Sequence, residues 1–348
     1  MLDVIGRSIL CAGCSLAVVI GPALLGGQTM AQEACPAVEQ NGAKGETPSH
    51  AALAHRWAPI HYQDTDSSYP SGDYLSAVDF DGDWQADNNW DNQARFGDRL
   101  RGVVYYSVVE APTHWFIVYA MYHPRDWTDL PPIVGRSLKL THENDMEGLL
   151  AVVAKGQEEP LGRLEALVTV AHREFYSFLT RDSTFGSGQE TIDGPVIMEW
   201  HEGVARPTTF QEAKGHGLKA WNGRNFPGRD GVRYVPGLGP GSLPRHGNDR
   251  AASYELRDVF ATGGLWDHRQ DPTTFASWGR FRGNHGRQNA ANAPWGWVDH
   301  NDGLDSGLLA LDPARLVLEY FTVRDPFDAT YTCQPYQARV LELSQHGG

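Results

Sequence analysis

Between Gly102 and His172 the chain is written in short runs of Val, Ile, Leu, Phe and Tyr separated by turn residues. β-branched and aromatic runs of this length suit extended backbone, and the breaks between them leave no room for a long helix. Residues 102–110 read as one strand and 114–122 as a second. Glu110, Ala111, Pro112 and Thr113 form the turn of a hairpin between them. Residues 149–154 read as a short apolar strand. Residues 164–172 alternate: Leu164, Ala166, Val168 and Val170 share one face, and Arg163, Glu165 and Thr169 the other. His172 ends that strand on the apolar side, where a histidine is commonly a satisfied core residue. The load of 38 Gly, 21 Pro, 11 Trp and 13 Tyr extends the same pattern of strands and large loops. Helix candidates are short, such as residues 209–214, and residues 227–249 read as a long Gly/Pro-rich loop. The expected fold is mainly β: a central β-sandwich flanked by short helices and long loops. No linker or fixed-period repeat divides the chain. Residues 32–50 therefore read as a loose leader and 51–348 as one elaborated domain.

Arg7 precedes an apolar run over residues 9–25, followed by Gly26, Gly27 and the small-residue pattern Thr29-Met30-Ala31. This is the layout of a secretory signal, expected at residues 1–31, and it implies a secreted protein, extracellular or periplasmic. No later run of 18 apolar residues exists, so no transmembrane segment is expected after signal removal. Removal would take Cys11 and Cys14 and leave Cys35 and Cys333, an even pair in an oxidising compartment. Their disulfide would close nearly the whole domain and stabilise it by on the order of 4–5 kcal/mol. Lys+Arg total 29 against 43 Asp+Glu, a net charge of -14. That balance repels phosphate backbones and anionic lipid, so nucleic acid is excluded as a partner. A monomer is expected.

The densest chemistry lies in Thr141-His142-Glu143-Asn144-Asp145-Met146-Glu147-Gly148. A strand starting near Asn144 puts Asp145 and Glu147 on one face, with His142 at its mouth. Two carboxylates and an imidazole make half a shell for a divalent cation, with oxygen-rich ligation favouring Mg²⁺, Mn²⁺ or Ca²⁺. An acidic strand entry facing water is the alternative. Upstream, Asp126 ends the aromatic strand after His123-Pro124-Arg125, where it can reach a neighbouring strand. A second acidic segment carries Asp79, Asp81, Asp83 and Asp87 around Gly82. Alternate aspartates let one tight loop aim several oxygens inward, giving a possible second site for Ca²⁺; a solvated turn explains it equally. Later come Lys214-Gly-His216-Gly, Trp266-Asp267-His268 and Trp295-Gly-Trp297-Val-Asp299-His300. Trp beside Asp or His suits a sugar ring, although loop packing accounts for it too. No Gly-x-Ser-x-Gly, phosphate-binding glycine loop or His-Glu-x-x-His is present.

Together these segments resemble the necrosis- and ethylene-inducing toxin-like family of secreted proteins. Ile117 to Asp126 is similar to that family's aromatic strand ending in Pro-Lys-Asp. Thr141 to Glu147 is similar to its heptapeptide Gly-His-Arg-His-Asp-Trp-Glu and keeps the His-x-x-Asp-x-Glu spacing. Thr141, Asn144 and Met146 replace the Gly, second His and Trp. Val170-Ala-His172 and Asn292-Ala-Pro-Trp295 are similar to later blocks. The resemblance implies a β-sandwich holding a divalent cation on Asp126, His142, Asp145 and Glu147, with His172 lining the cavity. It also implies docking of a glycan or glycolipid headgroup, for which His216, Trp266, Asp267 and His268 are further candidates. Three functions compete. One is a cation-dependent binding protein or toxin recognising a glycan. Another is a metal-dependent hydrolase of an extracellular polysaccharide or glycoconjugate. The last is an exported domain using calcium for stability alone.

Overall fold

The computed structural model describes Cys35 and residues 48–337, apart from 132–133, 136–139, 158, 225 and 227–228. These belong to the unit Glu33–Gly348. The signal expected at 1–31, and most of the leader, lie outside the described residues.

In chain order the strands are β1 (Ile60–Gln63), β2 (Gly102–Glu110), β3 (His114–Asp126), β4 (His142–Ala154), β5 (Arg163–Ala171), β6 (Glu174–Leu179), β7 (Phe185–Ser187) and β8 (Gly194–Pro195). They continue as β9 (Met198–His201), β10 (Val204–Gln211), β11 (Leu218–Ala220), β12 (Val232–Pro236), β13 (Ala252–Asp258), β14 (Phe275–Ser277), β15 (Arg280–Phe281) and β16 (Phe321–Val323). Short helices are α1 (His50–Trp57), α2 (Asn89–Arg95), α3 (Leu308–Leu311) and α4 (Pro313–Tyr320). Twelve strands form one sheet in the order β11-β10-β1-β12-β13-β2-β3-β4-β5-β6-β8, with β9 on β10. From β2 to β6 every pairing is antiparallel, whereas β12, β13 and β2 run parallel.

The mainly β expectation holds, and the sandwich is made by one sheet folding over. Strand β11, at one end of the order, lies against β5 and β4 near the other. The enclosed face carries Ile117, Tyr119, Met121, Leu149, Ala151 and Val153 against Val232, Tyr234, Tyr254 and the α1 residues Leu53 and Trp57. The outer face carries Phe116, Val118, Ala120, Leu150 and Val152 against Trp266, Trp295, Leu309, Leu316 and Val317. Both faces of the central strands are therefore covered, so these strands read as continuous apolar runs rather than alternations. Gly148 has a packing reason. A Cβ there would collide with the Tyr119 carbonyl oxygen and come 2.5 Å from the Trp297 ring.

Two expectations change. Residues 209–214 are not a helix: Thr209, Phe210 and Gln211 finish β10, paired in parallel with His61, Tyr62 and Gln63. β-branched and aromatic residues beside an open strand edge favour the ladder over a single helical turn. The Gly/Pro-rich stretch 227–249 contains β12, whose five residues fill the gap between β1 and β13. Among the described residues, no helix is long and apolar enough to cross a membrane.

Cys35 and Cys333 are bonded, 298 residues apart in sequence. The bond anchors the chain beside β2, where Glu110 N donates to the Cys333 carbonyl at 2.8 Å. Non-reducing peptide mapping should recover the two cysteines joined. Reductant, or Cys333→Ser, should lower stability by about 4–5 kcal/mol. An unmoved melting midpoint would show that the cross-link carries none of it.

Candidate functional site

The β3–β4 ladder runs past its apolar half into polar residues: His123 faces Asp145, Arg125 faces Glu143 and Asp126 faces His142. Pro124 has no N–H to offer, and opposite it Asn144 takes a left-handed backbone, φ 57°. Its side chain is tied down on every side. It accepts from Asn89 Nδ2 at 2.9 Å and Tyr122 OH at 2.5 Å, and donates to the carbonyls of Ala86 and Arg282, both at 2.9 Å. The left-handed residue inverts the in-out alternation. Glu143 swings to the outer side, accepting from Trp90 N and Asn284 N. His142 comes round to Asp126.

His142 Nε2 lies 3.1 Å from Asp126 Oδ2. Its Nδ1 is 2.7 Å from the Asn144 carbonyl, which can only accept, so Nδ1 carries the proton there. That bond turns Nε2 toward the acidic group, as outer contacts do for metal-binding imidazoles. Burial opposes a charge on His142, yet Asp126, Asp145 and the Asn144 carbonyl outweigh it and raise its pKa.

Asp145 is held from beneath by His216. The imidazole is fully buried, with Nδ1 3.0 Å from Asp145 Oδ2 and Nε2 3.2 Å from Asp73 Oδ1. Burial disfavours its charge, but the two carboxylates prevail and lift its pKa to about 9. His216 is thus an imidazolium donating from both nitrogens. His123 stacks flat on it, centroids 3.7 Å apart, and bonds Gln211. Burial and the His216 charge push His123 well down, so it stays neutral. Asp73 Oδ1 also accepts from Trp127 Nε1 and Lys214 N.

Glu147 is buried beside this layer. Its Oε1 accepts from His172 N at 2.5 Å, and its Oε2 from Leu218 N at 3.2 Å. Burial first, then repulsion from Asp145 and Asp126, raises its pKa well above the usual carboxylate range. His172 is not a core residue. It opens the β5–β6 turn at φ 61°, is half exposed, and pairs through Nε2 with Glu212 Oε1 at 2.7 Å. Gly215 and Gly217 pass so close to that pair that a side chain at either would strike it.

The fold thus gathers Asp126, His142, Asp145, Glu147, His172 and His216 at one end of the β3–β4 ladder. They interact as linked pairs and do not bring three donor atoms within 4.8 Å of one another. Among the described residues the trio that does so is His50, Glu110 and Cys333. There the sulfur is spent in the disulfide, and Glu110 is already paired with His50 and Lys155. The donor set of three carboxylates and one imidazole suits a hard divalent cation. Glu147, whose pKa is raised by burial and by Asp145 and Asp126, would be relieved of that repulsion by a cation.

The other candidates lie elsewhere. Asp81 accepts from Asn92 Nδ2 and Asp83 N, Asp83 from Gln85 N, Asp87 from Gln85 Nε2, and Asp79 pairs with Arg257. In the cation-free chain these aspartates shape a turn through local hydrogen bonds and do not bring three donor atoms within 4.8 Å of one another. Trp266 is a core residue, 1% exposed, packed edge-on against Trp295. It has no face left for a sugar. Asp267 accepts from Gly263 N and His268 stacks on Trp84. Sequence reasoning missed Asp73, His123, Glu212 and Lys214. The Lys214-Gly-His216-Gly segment pointed to one of its own members, but nothing near Asp73 marks it.

No known family's sequence pattern matches the chain, and no curated protein does. Among solved structures it is similar to one described as "Toxin fold for microbial attack and plant defense", at 15% identity and TM-score 0.30, over 51% of this chain and 70% of that one. It is similar to NLPPya in complex with mannosamine, at 14% identity and TM-score 0.33, over 78% and 90%. It is also similar to Necrosis and Ethylene inducing Protein 2 from the causal agent of cocoa's Witches Broom disease. That match has 11% identity and TM-score 0.29, over 63% and 89%. These belong to the family that the sequence motifs resemble. At TM-scores below 0.5 the overlap is partial and assigns neither membership nor activity.

The pKa shifts give a pH signature to the cation-free protein. His216 is raised from 6.5 to about 9 by folding. Its contribution is complete below about 6.5 and is lost as pH rises through about 9. Glu147, also raised, destabilises the fold above the ordinary carboxylate range. In EDTA the melting midpoint should therefore fall from pH 6.5 to 9.5. His216→Gln strands two buried carboxylates, should cost about 3–5 kcal/mol at neutral pH, and should flatten that slope. An equal slope in the variant would remove His216 as its source.

Proposed function

We propose that this chain is a secreted, toxin-like carbohydrate-binding protein that grips its ligand through a divalent cation. The observation that carries the reading is the Asp126–His142 contact, in which the Asn144 carbonyl fixes the tautomer and leaves Nε2 facing the carboxylates. Asp126, His142, Asp145 and Glu147 would hold the ion. A bound cation would supply concentrated positive charge and coordination positions for sugar hydroxyls. The protein's part is preparation. His216 cancels charge beneath Asp145, the His172 and Leu218 N–H groups orient Glu147, and the left-handed Asn144 aims His142. The glycan as ligand follows the motif resemblance.

A metal-dependent hydrolase is the second reading, favoured by one feature. The half-exposed His172, next to Glu147 and braced by Glu212, is placed as a general base would be.

Melting curves with Mn²⁺, Mg²⁺ and Ca²⁺ test the cation. A shift equivalent to about 2.7 kcal/mol is expected at a hundredfold excess over Kd. It should shrink as pH falls, because Glu147 must release its proton and His142 must be neutral to bind. Glu147→Gln keeps an acceptor for one of the two N–H groups and should abolish the shift. A full shift in the variant would show the ion binds elsewhere. Titration with glucosamine and mannosamine, with and without cation, tests the ligand. A cation shift without any sugar or glycan response leaves the ion structural, and release of soluble product from a polysaccharide favours the hydrolase.

A further inference from the structure

Strand β1 has two faces. His61 points inward to Thr209 and Gln63, whereas Tyr62 points outward. On that outer face lies a cavity of about 430 Å³ lined by Tyr62, Trp221, Arg224, Phe226, Arg229 and Arg250. Its size falls within the range of small-molecule sites. The wall is a packed aromatic unit. Tyr62 and Trp221 stack at 4.5 Å and 6°, and Phe226 leans on both at 5.6 Å. The Tyr62 hydroxyl is fixed by Glu199, whose charge is in turn met by Arg233.

The three arginines are not alike. Arg250 is structural: it lies 4.2 Å over the Phe226 ring and donates to the carbonyls of Gly231 and Arg229. The side chains of Arg224 and Arg229 are exposed and, among the described residues, have no hydrogen-bond or ion-pair partner. Acids outnumber bases 43 to 29 in this chain, so two unpaired guanidiniums on one cavity run against its composition. Asp230 is the nearby acid, and it acts on Arg250. Guanidinium forks are matched to carboxylate and phosphate, and an aromatic wall beside them takes the flat face of a ring.

We propose that this cavity is a second ligand site, separate from the acidic group, for a ring-bearing anion of monosaccharide size such as a sugar phosphate or a uronate. Arg224 and Arg229 take the anionic group, and the partly exposed Tyr62, backed by the buried Trp221 and Phe226, meets the ring. No cation is needed.

Titration of the full chain with glucose 6-phosphate, glucuronate, glucose and inorganic phosphate, in EDTA, tests this by calorimetry and by Trp221-sensitive fluorescence. Saturable binding of one or both ring anions with a change in tryptophan emission is expected. Which of the two binds identifies the anionic group. Glucose and phosphate alone should each bind about tenfold or more weaker. Arg224→Ala with Arg229→Ala should lose binding by a similar factor and keep the melting midpoint, since neither side chain has a protein partner. Equal binding of glucose, equal binding of bare phosphate, an unaffected double variant, or no binding of either ring anion would each overturn the proposal. Binding that disappears in EDTA would overturn it too, by returning the ligand to the cation site.

Discussion

The pairing of β3 with β4 is the interaction on which the rest of the molecule depends. Its apolar half supplies opposite faces of the sheet to two separate cores, so one ladder sets the spacing of both. Its polar half continues the same register for a few more residues and sets the spacing of the acidic group. Moving that register by one residue would turn Ile117 and Tyr119 out of the enclosed core. The same slip would remove Asp126 from His142. Stability and site geometry are therefore two readings of one set of backbone hydrogen bonds.

Charge within the acidic group is balanced unevenly. Asp145 and Asp73 share a buried imidazolium, whereas Glu147 has only backbone N–H donors and a half-exposed histidine. Burial and repulsion from Asp145 and Asp126 accordingly raise the pKa of Glu147. A cation at the proposed site would meet an acid of raised proton affinity. Its binding would compete with protonation of Glu147, and its apparent affinity would carry that competition.

Local pattern was enough for the hairpins. β2 is legible because Val and Tyr runs flanked by Gly and Glu-Ala-Pro-Thr have few other uses. Asp145 and Glu147 of β4 were legible because their spacing is a strand property, whereas His142 joins them through the left-handed Asn144, which no spacing announces. The fold-over was not, since β1 is four residues long and pairs with β10 and β12 more than a hundred residues away, and β11 closes the sheet against β5 with only three residues. Asp73 and Glu212 were hidden for the same reason, reaching the site from a 3₁₀ turn and a loop whose local sequences say nothing about β4. Trp266 misled in the opposite direction, and the alternating acids at 79–87 meet local hydrogen-bond donors. Alternating acids can cap a turn as readily as hold an ion, and a tryptophan beside Asp and His packs inward when an aromatic cluster awaits it.

The bond between Cys35 and Cys333 imposes an order in time as well as a shape. Cys35 is synthesised 298 residues before its partner. At 5–20 residues per second that interval is roughly 15–60 s. Throughout it Cys35 has no correct mate. The bridge lies where Glu110 N meets the Cys333 carbonyl, so pairing along β2 and the cross-link hold the same late cysteine in place.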